Sequence, residues 1–295
     1  MPAGTGHTRG TGSTAGTGAR TVVVTGGTRG VGAGIARAFL RAGARVVVCA
    51  RRPPDRPVTA AGRTARHLPA DLRDPAAVTA LFDRVAAEYG RLDVLVNNAG
   101  GTPFRLLAAA GADRHARVLA LNLVAPLTAS LAAYPLMRGQ PGGGCILMVG
   151  SVSGTRPSPG TAAYGAAKAG LHSLARTMAV EWAPAVRVNT LVPGMVRTEA
   201  ARRHYGDVAG LAAVARTVPA GRLAEPDEIG AAAVFLASAD AAHITGAELL
   251  VHGGGERPAF LAAATVNHEA GQEAGHHVDH DLHHEDHEDH EEPPA

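Results

Sequence analysis

The chain has 295 residues, 46% hydrophobic but only 3% aromatic, with a formal net charge of +2; it is long enough for one large domain, and so aromatic-poor a composition argues against a base-stacking surface. Its 28 basic residues are 27 arginines and one lysine, Lys168; ten acidic residues and no Arg or Lys lie from His268 onward, leaving residues 1–267 with 28 basic against 16 acidic groups, or +12. That basic body carries no zinc-finger spacing and no cluster of five basic residues, so no nucleic-acid partner is expected.

Residues 1–19 alternate Gly and Thr with almost nothing apolar to bury, and the sequence predicts a disordered leader there. They hold no apolar signal core, and no stretch approaches the ~18 apolar residues that a membrane span needs. Cys49 and Cys145 lie far apart and outside any Cys-x-x-Cys pair, which disfavours a structural zinc or a redox dithiol. A cytoplasmic protein without a membrane partner is expected.

From Thr21 onward, short β-branched runs alternate with longer Ala-rich segments, the pattern of repeated βαβ units. Strands are predicted at Thr21–Val24, Arg45–Cys49, Arg66–Leu68, Asp93–Val96, Cys145–Val149, Val186–Val192 and Glu248–Val251. Helices are predicted at Gly34–Ala42, Pro75–Tyr89, Asp113–Met137, Ala162–Trp182 and Pro226–Ala237. Right-handed crossovers put those helices on both faces of one seven-stranded parallel sheet: an α/β, Rossmann-like, doubly wound domain over residues 20–260. Past Phe260 the composition turns to Ala and then to His, Asp and Glu, so 261–295 reads as a solvated tail.

The first strand runs into Thr25-Gly26-Gly27-Thr28-Arg29-Gly30-Val31-Gly32 and then a helix. Glycines suit a turn whose backbone amides must approach a pyrophosphate at a helix N-terminus. The second strand ends in Ala50-Arg51-Arg52, where a fold selecting NAD would carry an acid for the ribose hydroxyls. No carboxylate follows until Asp55, whereas Arg51 and Arg52, with Arg29 from the other side, are placed to grip a ribose 2′-phosphate; the bland alternative is arginines that merely solvate a loop. NADP(H) is therefore expected over NAD(H). Asp71-Leu72 after the third strand and Asn97-Asn98-Ala99-Gly100 after the fourth are further candidate cofactor contacts, although Asn, Asp and Gly also end strands as ordinary turn residues.

The fifth strand ends at Gly150-Ser151, and thirteen residues later Tyr164-Gly-Ala-Ala-Lys168 opens a helix. Residues four apart share a helix face, so the phenol and the chain's one ammonium project together. Bringing a phenol from ~10 to ~7 needs about 4 kcal/mol, which a cation at ~4 Å supplies in an effective dielectric of ~20. The glycine spacing, Asn97-Asn98-Ala99-Gly100, Ser151, Tyr164, Lys168 and Val192-Pro193-Gly194-Met195-Val196-Arg197-Thr198 together resemble the short-chain dehydrogenase/reductase family, including its 3-oxoacyl-carrier-protein reductases, over about residues 20–257.

The resemblance implies an oxidoreductase moving a hydride between a nicotinamide and a carbonyl or secondary alcohol. Ser151 would bind the carbonyl, Tyr164 would act as general acid/base, and Lys168 would hold the nicotinamide ribose. Asn122 would support a water relay to Lys168. It places Thr25, Gly26, Thr28, Arg29, Gly30, Val31, Gly32, Asp71, Leu72, Asn98, Ala99, Gly100, Tyr164, Lys168, Pro193, Gly194, Val196 and Thr198 against the cofactor, with no metal, and implies a homo-oligomer, dimer or tetramer. Residues 195–215, which hold Arg197, Arg202, Arg203, His204 and Tyr205 among alanines, would cover a small-molecule or carrier-bound carbonyl, and the arginines there would suit an anionic one or merely solvate the lid. Two other readings compete: an NADPH-sensing regulator on the same fold that does no chemistry, and a metal-binding protein acting through the eight histidines of the tail, which lack ordered four-ligand spacing.

Overall fold

The computed structural model describes residues 19–101 and 103–264. The bulk of the predicted leader and tail, residues 1–18 and 265–295, lies outside them. In chain order the elements are β1 (Thr21–Thr25), α1 (Gly30–Arg41), β2 (Arg45–Ala50), β3 (Thr59–Ala60), β4 (Arg63–Thr64), β5 (Arg66–Pro69), α2 (Pro75–Tyr89), β6 (Val94–Asn97), α3 (Ala112–Leu119), α4 (Ala125–Gly139), β7 (Gly144–Val149), α5 (Ala162–Trp182), β8 (Val186–Pro193), α6 (Ala201–Tyr205), α7 (Val208–Thr217), α8 (Pro226–Ala237), β9 (Glu248–Val251) and α9 (Ala259–Ala263). Helix α9 lies across the boundary expected at residue 260.

Seven strands form one sheet in the order β5-β2-β1-β6-β7-β8-β9, every neighbouring pair parallel. The order reverses between β1 and β6, so the carboxyl ends of these two strands open the crevice where ligands of such sheets bind. Alternate side chains go to opposite faces. Val22, Val24, Val46, Val48 and Val96 meet α1 and α8, burying Ile35, Phe39, Ile229 and Leu236. Val23, Val47, Leu95, Ile146 and Met148 face the other way and bury Val78 and Phe82 of α2, Ala129 and Met137 of α4, and Leu171 and Met178 of α5. With few aromatics available, small residues set how closely helices approach. A Cβ on Gly34 of α1 would lie 2.3 Å from the Pro226 backbone, and one on Gly230 of α8 would lie 2.7 Å from the Gly34 carbonyl oxygen.

Three expectations are corrected. Helix α1 begins at Gly30, four residues earlier than predicted, because Arg29 takes the extended N-cap conformation and the last glycines of the motif are already helical. The single helix expected over Asp113–Met137 is divided by a π-turn, Ala120–Val124, across which the Ala125 N–H donates to the Ala120 carbonyl five residues back; Asn122, whose Nδ2 donates to the Val118 carbonyl at 2.9 Å, sits in that turn. The helical run Ala112–Gly139 is also long and apolar enough to cross a membrane by length and composition, although Ala125, Ala129, Ala133 and Met137 are buried in the domain core. The hairpin β3–β4 and the helices α6 and α7 add elements that the periodicity did not predict.

The contact of α1 with α8 makes a specific prediction. Gly34→Ala is expected to cost about 1–3 kcal/mol through overpacking against backbone, lowering the thermal midpoint by several degrees. Gly139→Ala, whose Cβ would meet nothing within 4 Å, is expected to leave the midpoint unchanged or slightly raised; circular-dichroism melts of the two variants check both.

Candidate active site

At the reversal of strand order, one hydroxyl ties β1 to β6. Thr25 Oγ1 donates to the Val96 carbonyl at 3.2 Å and accepts from the backbone N–H groups of Asn98 at 2.9 Å and Ala99 at 3.0 Å. Asn98 returns the contact, its Nδ2 donating to the carbonyls of Thr25 at 2.9 Å and Gly26 at 3.2 Å. The approach is so close that a Cβ on Gly32 would lie 2.4 Å from Asn98 Nδ2, and one on Gly26, at φ +62°, would lie 2.9 Å from Ala99 Cα. The glycine spacing is thus required by backbone packing as well as by any ligand.

Gly30, at φ +55°, faces a more open surface, where a Cβ would meet nothing nearer than Thr198 Cγ2 at 3.5 Å. Its N–H, at the start of α1, donates to Glu199 Oε2 at 3.1 Å. A carboxylate there stands in for an anion on a helix N-terminus, so the turn fits the phosphates of a dinucleotide. Thr28 and Val31 are half-buried in the same turn, and Arg29 is exposed. Arg51 and Arg52 follow β2, exposed, and neither makes an ion pair among the described residues. Asp71 is gripped by Arg73, with Nη2 at 2.6 Å from Oδ2, and that guanidinium, with Arg51 adding a smaller effect, holds its carboxyl down at about 2. Leu72 is buried in the core, which leaves only its backbone for a ligand.

Across the crevice, α5 lays its face on the end of β7. Lys168 is buried, its Nζ donating to the Val149 carbonyl at 2.7 Å and lying 5.5 Å from the Tyr164 ring centroid. Burial pushes its ammonium down to about 8. Burial raises the Tyr164 phenol above its ordinary value, the Ser151 hydroxyl opposes this through a hydrogen bond, and Tyr205 adds to it. The Lys168 ammonium is committed to a carbonyl of β7, and desolvation is the largest influence on the phenol. Ser151 also caps the short turn after β7, its Oγ accepting from the Ser153 N–H at 3.1 Å.

Asn122 is wholly buried. Its Oδ1 accepts from the Gly101 N–H at 2.8 Å and its Nδ2 donates to the Gly101 carbonyl at 3.2 Å, so the amide clamps the loop after β6. A Cβ on Gly100 would fall 2.5 Å from that Oδ1 and 3.5 Å from Lys168 Nζ, which shows how near the two side chains come. Pro193 ends β8, and the Gly194 N–H donates to the Val251 carbonyl at 3.1 Å. Val196 bridges Ala224, carrying Thr198 against Gly30.

Three groups at the site escaped sequence reasoning. Glu199 had no motif to mark it. Tyr205 on α6 was visible only as one polar residue of the lid; its hydroxyl donates to Met195 Sδ at 3.1 Å. An ion pair between Arg156 and Glu256 ties the loop after Ser151 to the segment after β9, a pairing across 100 residues that carries no local signal. Beside Tyr164, a small cleft is walled by Arg105, Arg114, His115, Val118 and Thr161.

Comparison with known proteins agrees with this architecture. A family model described as enoyl-(acyl carrier protein) reductase matches residues 26–256. The chain is 37% identical over 240 residues to an uncharacterized oxidoreductase of Mycobacterium tuberculosis, covering 80% of this chain and 91% of that protein. It is 35% identical over 238 residues to the 3-oxoacyl-[acyl-carrier-protein] reductase of Escherichia coli, covering 80% and 96%. The ligand-free structure of Thermoplasma acidophilum aldohexose dehydrogenase superposes with a TM-score of 0.75 at 29% identity, covering 80% of this chain and 93% of that one. The chain belongs to the short-chain dehydrogenase/reductase family, and it is an oxidoreductase of the kind that acts on CH–OH and C=O groups.

The buried ammonium gives a pH prediction. Lys168 titrates near 8 in the fold against 10.5 for the free group, so between those values the unfolded chain holds a proton that the folded chain does not. Stability contributed by this group is full above about pH 10.5 and lost as pH falls to about 8. Relative to Lys168→Met, the parent should therefore gain up to about 3 kcal/mol between pH 8 and pH 10.5, read from paired urea titrations at the two ends.

Proposed function

We propose that the protein is an NADPH-dependent carbonyl reductase or alcohol dehydrogenase in which Tyr164 is the general acid/base. The observation that carries the reading is the placement of Tyr164 and, one turn along the same helix, Lys168, whose buried Nζ lies 5.5 Å from the phenol ring centroid, beside a glycine turn at the reversal of strand order. When bound, the dinucleotide supplies or accepts the hydride; the chain's residues manage the oxygen and its proton. Ser151 donates to the substrate oxygen and keeps it beside the phenol. Tyr164, neutral because burial raises it, holds the proton that a reduced carbonyl must receive at oxygen. Lys168, fixed by the Val149 carbonyl, offers positive charge to the phenolate left behind and would hold the nicotinamide ribose. Asn122 keeps the loop 98–101 in place behind Lys168, consistent with a part in the proton relay.

The phosphate turn would be Thr25 to Gly32, with Asn98, Ala99, Gly100, Pro193, Gly194, Val196 and Thr198 around the cofactor and Asp71 and Leu72 at the adenine end. Unpaired Arg51 and Arg52, with no acid at the end of β2, favour NADP(H) over NAD(H). Arg105 and Arg114 in the cleft beside Tyr164, with Arg202 and Arg203 on the lid, favour an anionic or carrier-bound carbonyl. Exposed Leu131 of α4 and Val180 of α5 suit a homo-oligomer, and two buried free cysteines outside any disulfide favour the cytoplasm.

Two predictions follow from these roles. Tyr164→Phe is expected to lower turnover of a carbonyl panel by at least about 10²-fold with NADPH affinity held within a few-fold, measured by NADPH oxidation and by fluorescence titration; unchanged turnover would remove the phenol from the chemistry. Arg51→Ala with Arg52→Ala should weaken NADPH binding about tenfold or more while leaving NADH binding unmoved, and equal losses for the two cofactors would sink the 2′-phosphate assignment.

A further inference from the structure

One turn beyond Lys168, α5 carries a buried polar side chain that the proposed chemistry does not use. His172 Nδ1 lies 3.1 Å from Oε2 of Glu248 on the edge strand β9, and the other oxygen of Glu248 is held by the Arg176 guanidinium, a further turn along α5. The charged groups acting on the ring are Lys168 and Arg176 from its own helix and Glu248 from β9; burial is the largest influence and pushes the imidazole down, so it stays neutral. A carboxylate can only accept, so the proton sits on Nδ1 and Nε2 presents a lone pair. Among the described residues no donor meets that Nε2. Leaving a buried polar atom unpaired is costly, and an apolar side chain of similar shape would avoid that cost.

The unpaired edge has a definite neighbour. A Cβ built on Gly150 would lie 2.2 Å from Nε2 and 2.9 Å from Cδ2 of His172, so the ring is seated on the α-carbon of the residue before Ser151. Gly150 has no positive φ; space, not conformation, requires the glycine. The stripe on α5 therefore meets two consecutive residues at the end of β7, where Lys168 holds the Val149 carbonyl and His172 backs Gly150, the residue before Ser151.

We propose that His172, oriented by Glu248, is a positioning residue that acts through Gly150 to hold the Ser151 hydroxyl against Tyr164. The inference rests on the Ser151–Tyr164–Lys168 reading above. A misplacement of ~1 Å in a reacting group can cost on the order of a hundredfold in rate, so a rigid ring behind the strand end matters to turnover more than to binding.

The test uses the full chain and its steady-state carbonyl reduction with NADPH, with Tyr164→Phe as the inactive reference. His172→Asn keeps an amide N–H near Nδ1 for Glu248 but vacates the space beside Gly150; it should lower kcat about ten- to a hundredfold while KM for the carbonyl and Kd for NADPH stay within about twofold. Gly150→Ala, which collides with the ring, should lower kcat further, and adding His172→Asn to it should restore part of that loss, because the new methyl fills the vacated space. NADPH affinity reports folding of each variant. Parent-like kcat in His172→Asn overturns the inference, as does a double variant no faster than Gly150→Ala. If Gly150→Ala does not fold, the kcat and KM of His172→Asn decide alone. Parent-like turnover in Tyr164→Phe would instead sink the reading on which the inference rests.

Discussion

The site is organised around a buried ammonium. Lys168 is the chain's one lysine, almost fully enclosed, and its Nζ finds a carbonyl oxygen of β7 at 2.7 Å. Burying a cation without a counter-ion is costly, and here the cost shows as an ammonium driven down to about 8. An arginine could not relieve that cost by losing its proton, and its planar fork would need more acceptors than the strand end offers. The hydrogen bond to Val149 also fixes where α5 sits on the sheet, so the same contact that burdens stability aligns Tyr164 with Ser151.

The opposite wall of the crevice is built from neutral groups. Thr25 spends its hydroxyl on three backbone partners of the β6 end, and Asn98 spends its amide on the first residues of the glycine turn. These contacts leave no slack between β1 and β6, and Gly26 and Gly32 are glycines because the neighbouring strand end occupies the space of a side chain. One wall is thus set by charge and the other by close backbone approach, and both meet at Gly100, beside Asn122 and Lys168.

The sheet was legible because its strands are short valine-rich runs in a regular order, and each predicted strand lies within a residue or so of an observed one. Tyr164 and Lys168 were legible because four residues make one helical turn, and the same arithmetic applied once more reaches His172. The π-turn at Asn122 was not, since it depends on where Gly101 lies relative to the helix, a contact across 21 residues. Spacing likewise says that Lys168 and Tyr164 share a face, but not that the ammonium turns toward Val149. Helices α6 and α7 are short, five and ten residues, with too few turns to produce a periodic pattern.

That last difficulty separates the two halves of the catalytic cleft. The half that carries the glycine turn, Tyr164 and Lys168 is specified by local motifs on rigid strand ends, each readable within a few residues. The other half joins the loop after Ser151, the helix bearing Tyr205 and the segment after β9 through Arg156–Glu256 and the Tyr205–Met195 contact. Neither contact is implied by the residues beside it, so side chains there can change without disturbing Lys168 or the glycine turn. A fold divided in this way retains its redox chemistry while its substrate wall varies, which fits relatives whose names span an acyl-carrier-protein reductase and an aldohexose dehydrogenase.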